Sequence, residues 1–120
     1  MDNRICADNV ILIAEDDDGH AELIRENLID AGLGNEFIRF KDGREAWEFL
    51  NREGEGPHRE TNRAYLLLLD INMPRMGGME VLKRIKAHPE LKSMPVIMLT
   101  TTDDPREIRQ SYELGCSCYI

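Results

Sequence analysis

Tyr65-Leu66-Leu67-Leu68-Leu69-Asp70 is the stretch on which the fold turns, an apolar run closed by an acid and followed directly by Ile71-Asn72-Met73-Pro74. An apolar run of strand length with turn chemistry behind it reads as a strand buried on both faces, the habit of parallel sheets. Its last residue then lies at the carboxyl edge of the sheet, where open α/β sheets bind ligands. A second run, Val10-Ile11-Leu12-Ile13-Ala14, also ends in acid, Glu15-Asp16-Asp17-Asp18. Two central strands delivering carboxylates to one edge make a cation site, and a cation beside an Asp points to phosphoryl chemistry.

Outward from these runs, strand-like and helix-like segments alternate. Helices are expected over residues 19–30, 43–51, 78–88 and 104–114. In the first, Ala21, Ile24 and Leu28 recur at helical spacing, and Leu23 and Ile29 widen the apolar face. Asp17 or Asp18 caps it and Gly32 stops it, while Pro89 ends the third helix. Phe37, Ile38 and Phe40 mark a short second strand, residues 96–99 a fourth, and residues 117–120 the start of a fifth. The polar stretch 52–63, with Gly54, Gly56 and Pro57, reads as an exposed loop. Strict βαβα alternation predicts a parallel sheet with helices on both faces.

The chain of 120 residues is expected to form one domain, residues 1–120. A formal net charge of -8 disfavours nucleic acid and anionic lipid, which need clustered Lys and Arg. No apolar stretch approaches the roughly 20 residues of a membrane span, so a cytoplasmic location is expected. Cys6, Cys116 and Cys118 are an odd set without a secretion signal and read as reduced structural thiols.

Mg2+ takes oxygen ligands, commonly one or two carboxylates plus a substrate phosphate. Asp16 and Asp70 can supply those carboxylates, with Glu15 acting through a water. The blander account makes Asp17 or Asp18 a helix cap and the other acids solvated, but it leaves Asp70 unexplained. Thr100 and Thr101 end the fourth strand, and the Thr100 hydroxyl is a candidate partner for a phosphoryl oxygen; its alternative is a local turn bond. Tyr119 by itself reads as a half-buried strand aromatic, and His20 as a surface histidine.

Glu15-Asp16 after a strand, Asp70 after an apolar strand and Asn72-Met73-Pro74-Arg75-Met76-Gly77-Gly78 behind it form one ordered set. Thr100-Thr101 and Tyr119 within Gly115-Cys116-Ser117-Cys118-Tyr119-Ile120 complete it. In order and spacing, over nearly the whole chain, the set resembles the receiver domain of two-component response regulators. The resemblance implies an α/β, flavodoxin-like fold: a doubly wound, five-stranded parallel sheet of order 2-1-3-4-5. It implies that Asp70 is the phosphoacceptor, charged by a sensor histidine kinase. Asp16 and Asp70 would be direct Mg2+ ligands, with Mn2+ a substitute, Glu15 a ligand through water and the Asn72 backbone carbonyl a third protein ligand. Thr100 would contact the phosphoryl group by its hydroxyl and Thr101 by its backbone. Tyr119 would turn inward behind it as the switch aromatic, altering the surface of the fourth helix and fifth strand. That surface is the expected partner or homodimer face. The long polar loop and the chain ending look most like stand-alone receivers that serve bacteriophytochrome kinases.

Receivers carry a Lys at the end of the fifth strand and then a fifth helix. The sequence is expected to be truncated at Ile120, just short of both. Two rivals stand beside the receiver reading. A haloacid-dehalogenase-type phosphatase also uses a strand-end Asp nucleophile, but it needs an acid two residues later, where this chain has Asn72. A degenerate receiver would only bind partners. On the receiver reading the protein turns over no external substrate, although it catalyses its own phosphorylation and dephosphorylation.

Overall fold

β1 (Val10–Ala14) and β3 (Tyr65–Asp70) lie side by side in the middle of one parallel sheet, as their unbroken apolar sequences require. β2 (Phe37–Phe40) pairs with the other side of β1, β4 (Val96–Leu99) with β3, and β5 (Cys118–Tyr119) with β4. The order is therefore β2-β1-β3-β4-β5, the expected doubly wound arrangement. The structure, a computed structural model, describes residues 9–61, 63–99 and the backbone of 118–119. The predicted helix at 104–114, Thr100, Thr101, Cys6, Cys116 and the side chains of Cys118 and Tyr119 lie outside the described residues.

Alternate residues of the central strands feed two cores. Val10, Leu12, Ala14, Leu67 and Leu69 face one side, where they meet Ala46, Phe49 and Leu50 of α2 (Gly43–Leu50) and Val81, Leu82 and Ile85 of α3 (Gly78–Ala87). Ile11, Ile13 and Leu68 face the other, against Ala21, Ile24 and Leu28 of α1 (Asp18–Asp30). Fully burying each Val, Leu, Ile or Phe side chain of these cores contributes roughly 2 kcal/mol, and each Ala less.

Asp17, not Asp18, caps α1, accepting a hydrogen bond from the His20 N–H at 2.9 Å. Gly32, with φ of 98°, ends it: its N–H reaches the Ile29 carbonyl and that of Leu33 the Leu28 carbonyl. One expectation fails here. Leu23 and Ile29 are 52% and 44% exposed, so they do not widen the buried face. Ala21 is buried and Ile24 and Leu28 half-buried, so the sheet takes up one narrow stripe of the helix. The 52–63 loop is polar, as expected, but well tied down. Arg59 donates to the Leu50 carbonyl and pairs with Glu90 at 2.6 Å, while the Glu60 N–H donates to the Tyr65 hydroxyl at 2.8 Å. Among the described residues no helix is long and apolar enough to cross a membrane.

Candidate functional site

Strand register builds the site. Ala14 stands opposite Leu69, so the next residues, Glu15 and Asp70, leave the sheet level with each other. On the far side of β3, Asp70 stands opposite Leu99. One carboxylate oxygen from each of Glu15, Asp16 and Asp70 lies within 4.8 Å of the other two. Glu15 is buried, Asp70 half-buried and Asp16 exposed. The other two acids of the run are turned elsewhere: Asp17 caps α1 and Asp18 pairs with Arg39 at 2.6 Å.

Such crowding has an electrostatic cost. Burial, and next the Glu15 carboxylate, raise the Asp70 pKa to about 7; Asp16 adds a smaller push and a backbone hydrogen bond at Asn72 opposes. Glu15 is only 3% exposed. Its Oε1 faces His20 Nδ1 at 3.3 Å and the Asp17 N–H at 3.4 Å, while its Oε2 is buried with no hydrogen-bond partner. An unsatisfied buried polar atom costs about 1–3 kcal/mol, more when charged, and persists where an ion or catalytic role accounts for it. An oxygen-rich donor set, an orphaned buried oxygen and mutually repelling acids all fit a hard divalent cation such as Mg2+.

Backbone contacts fix the loop behind Asp70. The Ile71 N–H donates to the Leu99 carbonyl at 3.3 Å and the Gly78 N–H to the Ile71 carbonyl at 2.8 Å. Arg75 holds a positive φ of 66° and reaches the buried Asp42, the cap of α2, at 3.2 Å. Asn72 sits exposed in this turn. The structure thus brings Glu15, Asp16 and Asp70 together with Asn72 next to them, while Thr100, Thr101 and the Tyr119 side chain are outside the described residues. Two neighbours were not anticipated. His20 turns back onto Glu15, and Arg39 of β2 donates to the Glu15 carbonyl from Nε at 3.0 Å and Nη2 at 2.8 Å. The only sequence signal for Arg39 is a charge inside an otherwise apolar strand.

Residues 11–120 match the response regulator receiver domain family model. Response regulator Rcp1 of Synechocystis sp. is 40% identical over 111 residues, which cover 92% of this chain and 74% of Rcp1. The solved Mn(2+)-bound form of Rcp1 is similar in structure, with a TM-score of 0.81 at 38% identity, covering 93% of this chain and 79% of that one. A response regulator receiver domain from Rhodospirillum rubrum gives a TM-score of 0.85 at 45% identity, covering 92% and 78%. For the bacteriophytochrome response regulator RtBRR the values are 0.82 and 39%, covering 93% and 68%. Sequence, sheet order and the acidic edge agree: the chain belongs to the receiver domain family of response regulators, signalling modules whose shared function is to be phosphorylated by a kinase.

Proposed function

We propose that Asp70 is the phosphoacceptor and that Asp16, Asp70 and the Asn72 carbonyl hold Mg2+ directly and Glu15 through a water, with Mn2+ able to replace Mg2+. The observation that carries this is the convergence of Glu15, Asp16 and Asp70 at the carboxyl edge, with the buried Glu15 Oε2 left unpartnered. The cation, when bound, offsets the charge of the acids and of the incoming phosphoryl oxygens. Asp70 must be ionised to act. Its carboxylate oxygen attacks phosphorus, an acyl phosphate O–P bond forms, and the donor's P–N bond to histidine breaks with its electron pair leaving on the ring. Glu15 lowers the cost of holding the cation next to the sheet, and Asp16, exposed, closes the cluster toward solvent. Thr100 and Thr101 take the phosphoryl oxygens and Tyr119 carries the change to the surface of the fourth helix and fifth strand, where a partner or second copy binds.

On this reading the protein is cytoplasmic and its phosphoryl donor is a sensor histidine kinase. Similarity to the bacteriophytochrome response regulator RtBRR favours a bacteriophytochrome as that kinase. The net charge of -8 argues against nucleic acid as the output. Turnover of an external phosphomonoester is no part of the reading, because the Asn72 amide has no acidic proton to give a leaving group.

Incubation with acetyl phosphate and Mg2+ is expected to add a single phosphoryl mass to the protein. The adduct should be lost in Asp70→Asn and when Mg2+ is chelated. An adduct of equal yield in Asp70→Asn would overturn the assignment, and none in the unaltered protein would favour a binding-only receiver.

A further inference from the structure

Both backbone groups of Glu15 are held by the last two residues of β2. Its N–H donates to the Phe40 carbonyl at 3.1 Å, and its carbonyl receives two hydrogen bonds from the Arg39 guanidinium, at 2.8 and 3.0 Å. The third Arg39 contact is an ion pair with Asp18 at 2.6 Å. That carbonyl belongs to the peptide joining Glu15 to Asp16, two of the three clustered acids. Resting on the cation-site reading above, we propose that Arg39 is a positioning residue: it fixes the Glu15–Asp16 peptide and so sets the divalent-cation affinity of the acid cluster.

Two features separate this role from an ordinary surface ion pair. Asp18 is 80% exposed, and exposed pairs contribute little. The Arg39 side chain is only 26% exposed, and its planar fork spends two donors on one carbonyl, a geometry Lys cannot copy. The sign of the effect is also diagnostic. Arg39 is a cation near a cation site, so electrostatics alone makes its removal tighten metal binding. If its work is to place the peptide, removal weakens binding instead, because partners that orient metal ligands typically carry about 10- to 100-fold in affinity.

Calorimetric titration with Mn2+ and Mg2+ tests this on the full chain. Arg39→Met is expected to weaken binding about tenfold and Arg39→Lys by a smaller factor, as one donor replaces two. Asp18→Asn should leave affinity within about twofold, since it removes only the exposed pair. Should Arg39→Met fail to fold by circular dichroism, Arg39→Lys carries the comparison, because it keeps the charge and loses the fork. Unchanged or tighter binding in the folded Arg39 variants overturns the role of Arg39 while leaving the cluster standing. No binding by the unaltered protein overturns the cation site, and this inference with it.

Discussion

Alanine in place of Gly78 is expected to cost about 3 kcal/mol of folding stability and to slow phosphorylation of Asp70. The added Cβ would stand 2.1 Å from the Asp70 carbonyl oxygen and 2.9 Å from both the Asp70 carbonyl carbon and the Ile71 Cα. All three are backbone atoms, so no side chain can rotate away. Either the edge of β3 moves, carrying Asp70, the proposed phosphoacceptor, with it, or α3 retreats. Retreat would lift the fully buried Val81, Leu82 and Ile85 off the sheet and open a void. Overpacking costs about 1–3 kcal/mol, and a clash against a central strand belongs at the upper end. Gly56→Ala is the internal control, because nothing lies within 4 Å of its added Cβ. Urea unfolding of both variants reads the difference, and a Gly78→Ala loss below about 1 kcal/mol would show that the strand-to-helix contact is slack.

Asp70→Asn is expected to stabilise the metal-free protein at about pH 8, with the gain shrinking to nothing near about pH 4. The sign follows from the raised pKa. Asp70 titrates at about 7 in the folded protein and near about 4 when unfolded, so the folded state holds the extra proton between those values. Stability from this group is therefore lost as pH rises through that window, and the full penalty applies above it. That displacement corresponds to about 4 kcal/mol, but Asp70 is half-buried, and solvent screening reduces the expected gain to about 1–2 kcal/mol. Saturating Mg2+ should narrow the gap at high pH by stabilising the unaltered protein more than the variant. Urea midpoints across pH, with and without Mg2+, check this. A gain equally large at low pH would mean that it comes from packing and not from relief of charge repulsion.

The parts of this molecule legible in its sequence are those with a local signature. Val10–Ala14 and Tyr65–Asp70 are apolar at every position but the last acid, which fixes them as central strands, and their acid endings mark the site edge. Asp17-Asp18 and Gly32 announce both ends of α1 by chemistry acting within a turn, although only the structure decides for Asp17 over Asp18. Contacts across the sheet carry no such mark. Arg39 lies 24 residues from Glu15, and an isolated Arg in a strand looks the same whether it clamps a carbonyl or faces water. His20 read as a surface side chain, and it is 43% exposed, yet its ring also meets a buried acid. Helical spacing gave the centre of the α1 buried stripe but not its width, which the facing sheet decides; hence Leu23 and Ile29 stand exposed. The polar 52–63 loop was legible as loop, but its anchoring through Arg59 was not, because the partners Leu50 and Glu90 lie outside it.

The central claim is that the phosphoryl group is carried on the Asp70 side chain. Borohydride reduces an acyl phosphate to an alcohol and so converts a phosphorylated aspartate to homoserine, leaving free carboxylates untouched. After treatment with acetyl phosphate and Mg2+, reduction and peptide mass mapping, homoserine is expected at position 70 and at no other acid. Homoserine at Asp16 or Glu15 with position 70 unmodified, or a phosphoryl group that survives reduction on a histidine, would contradict the account.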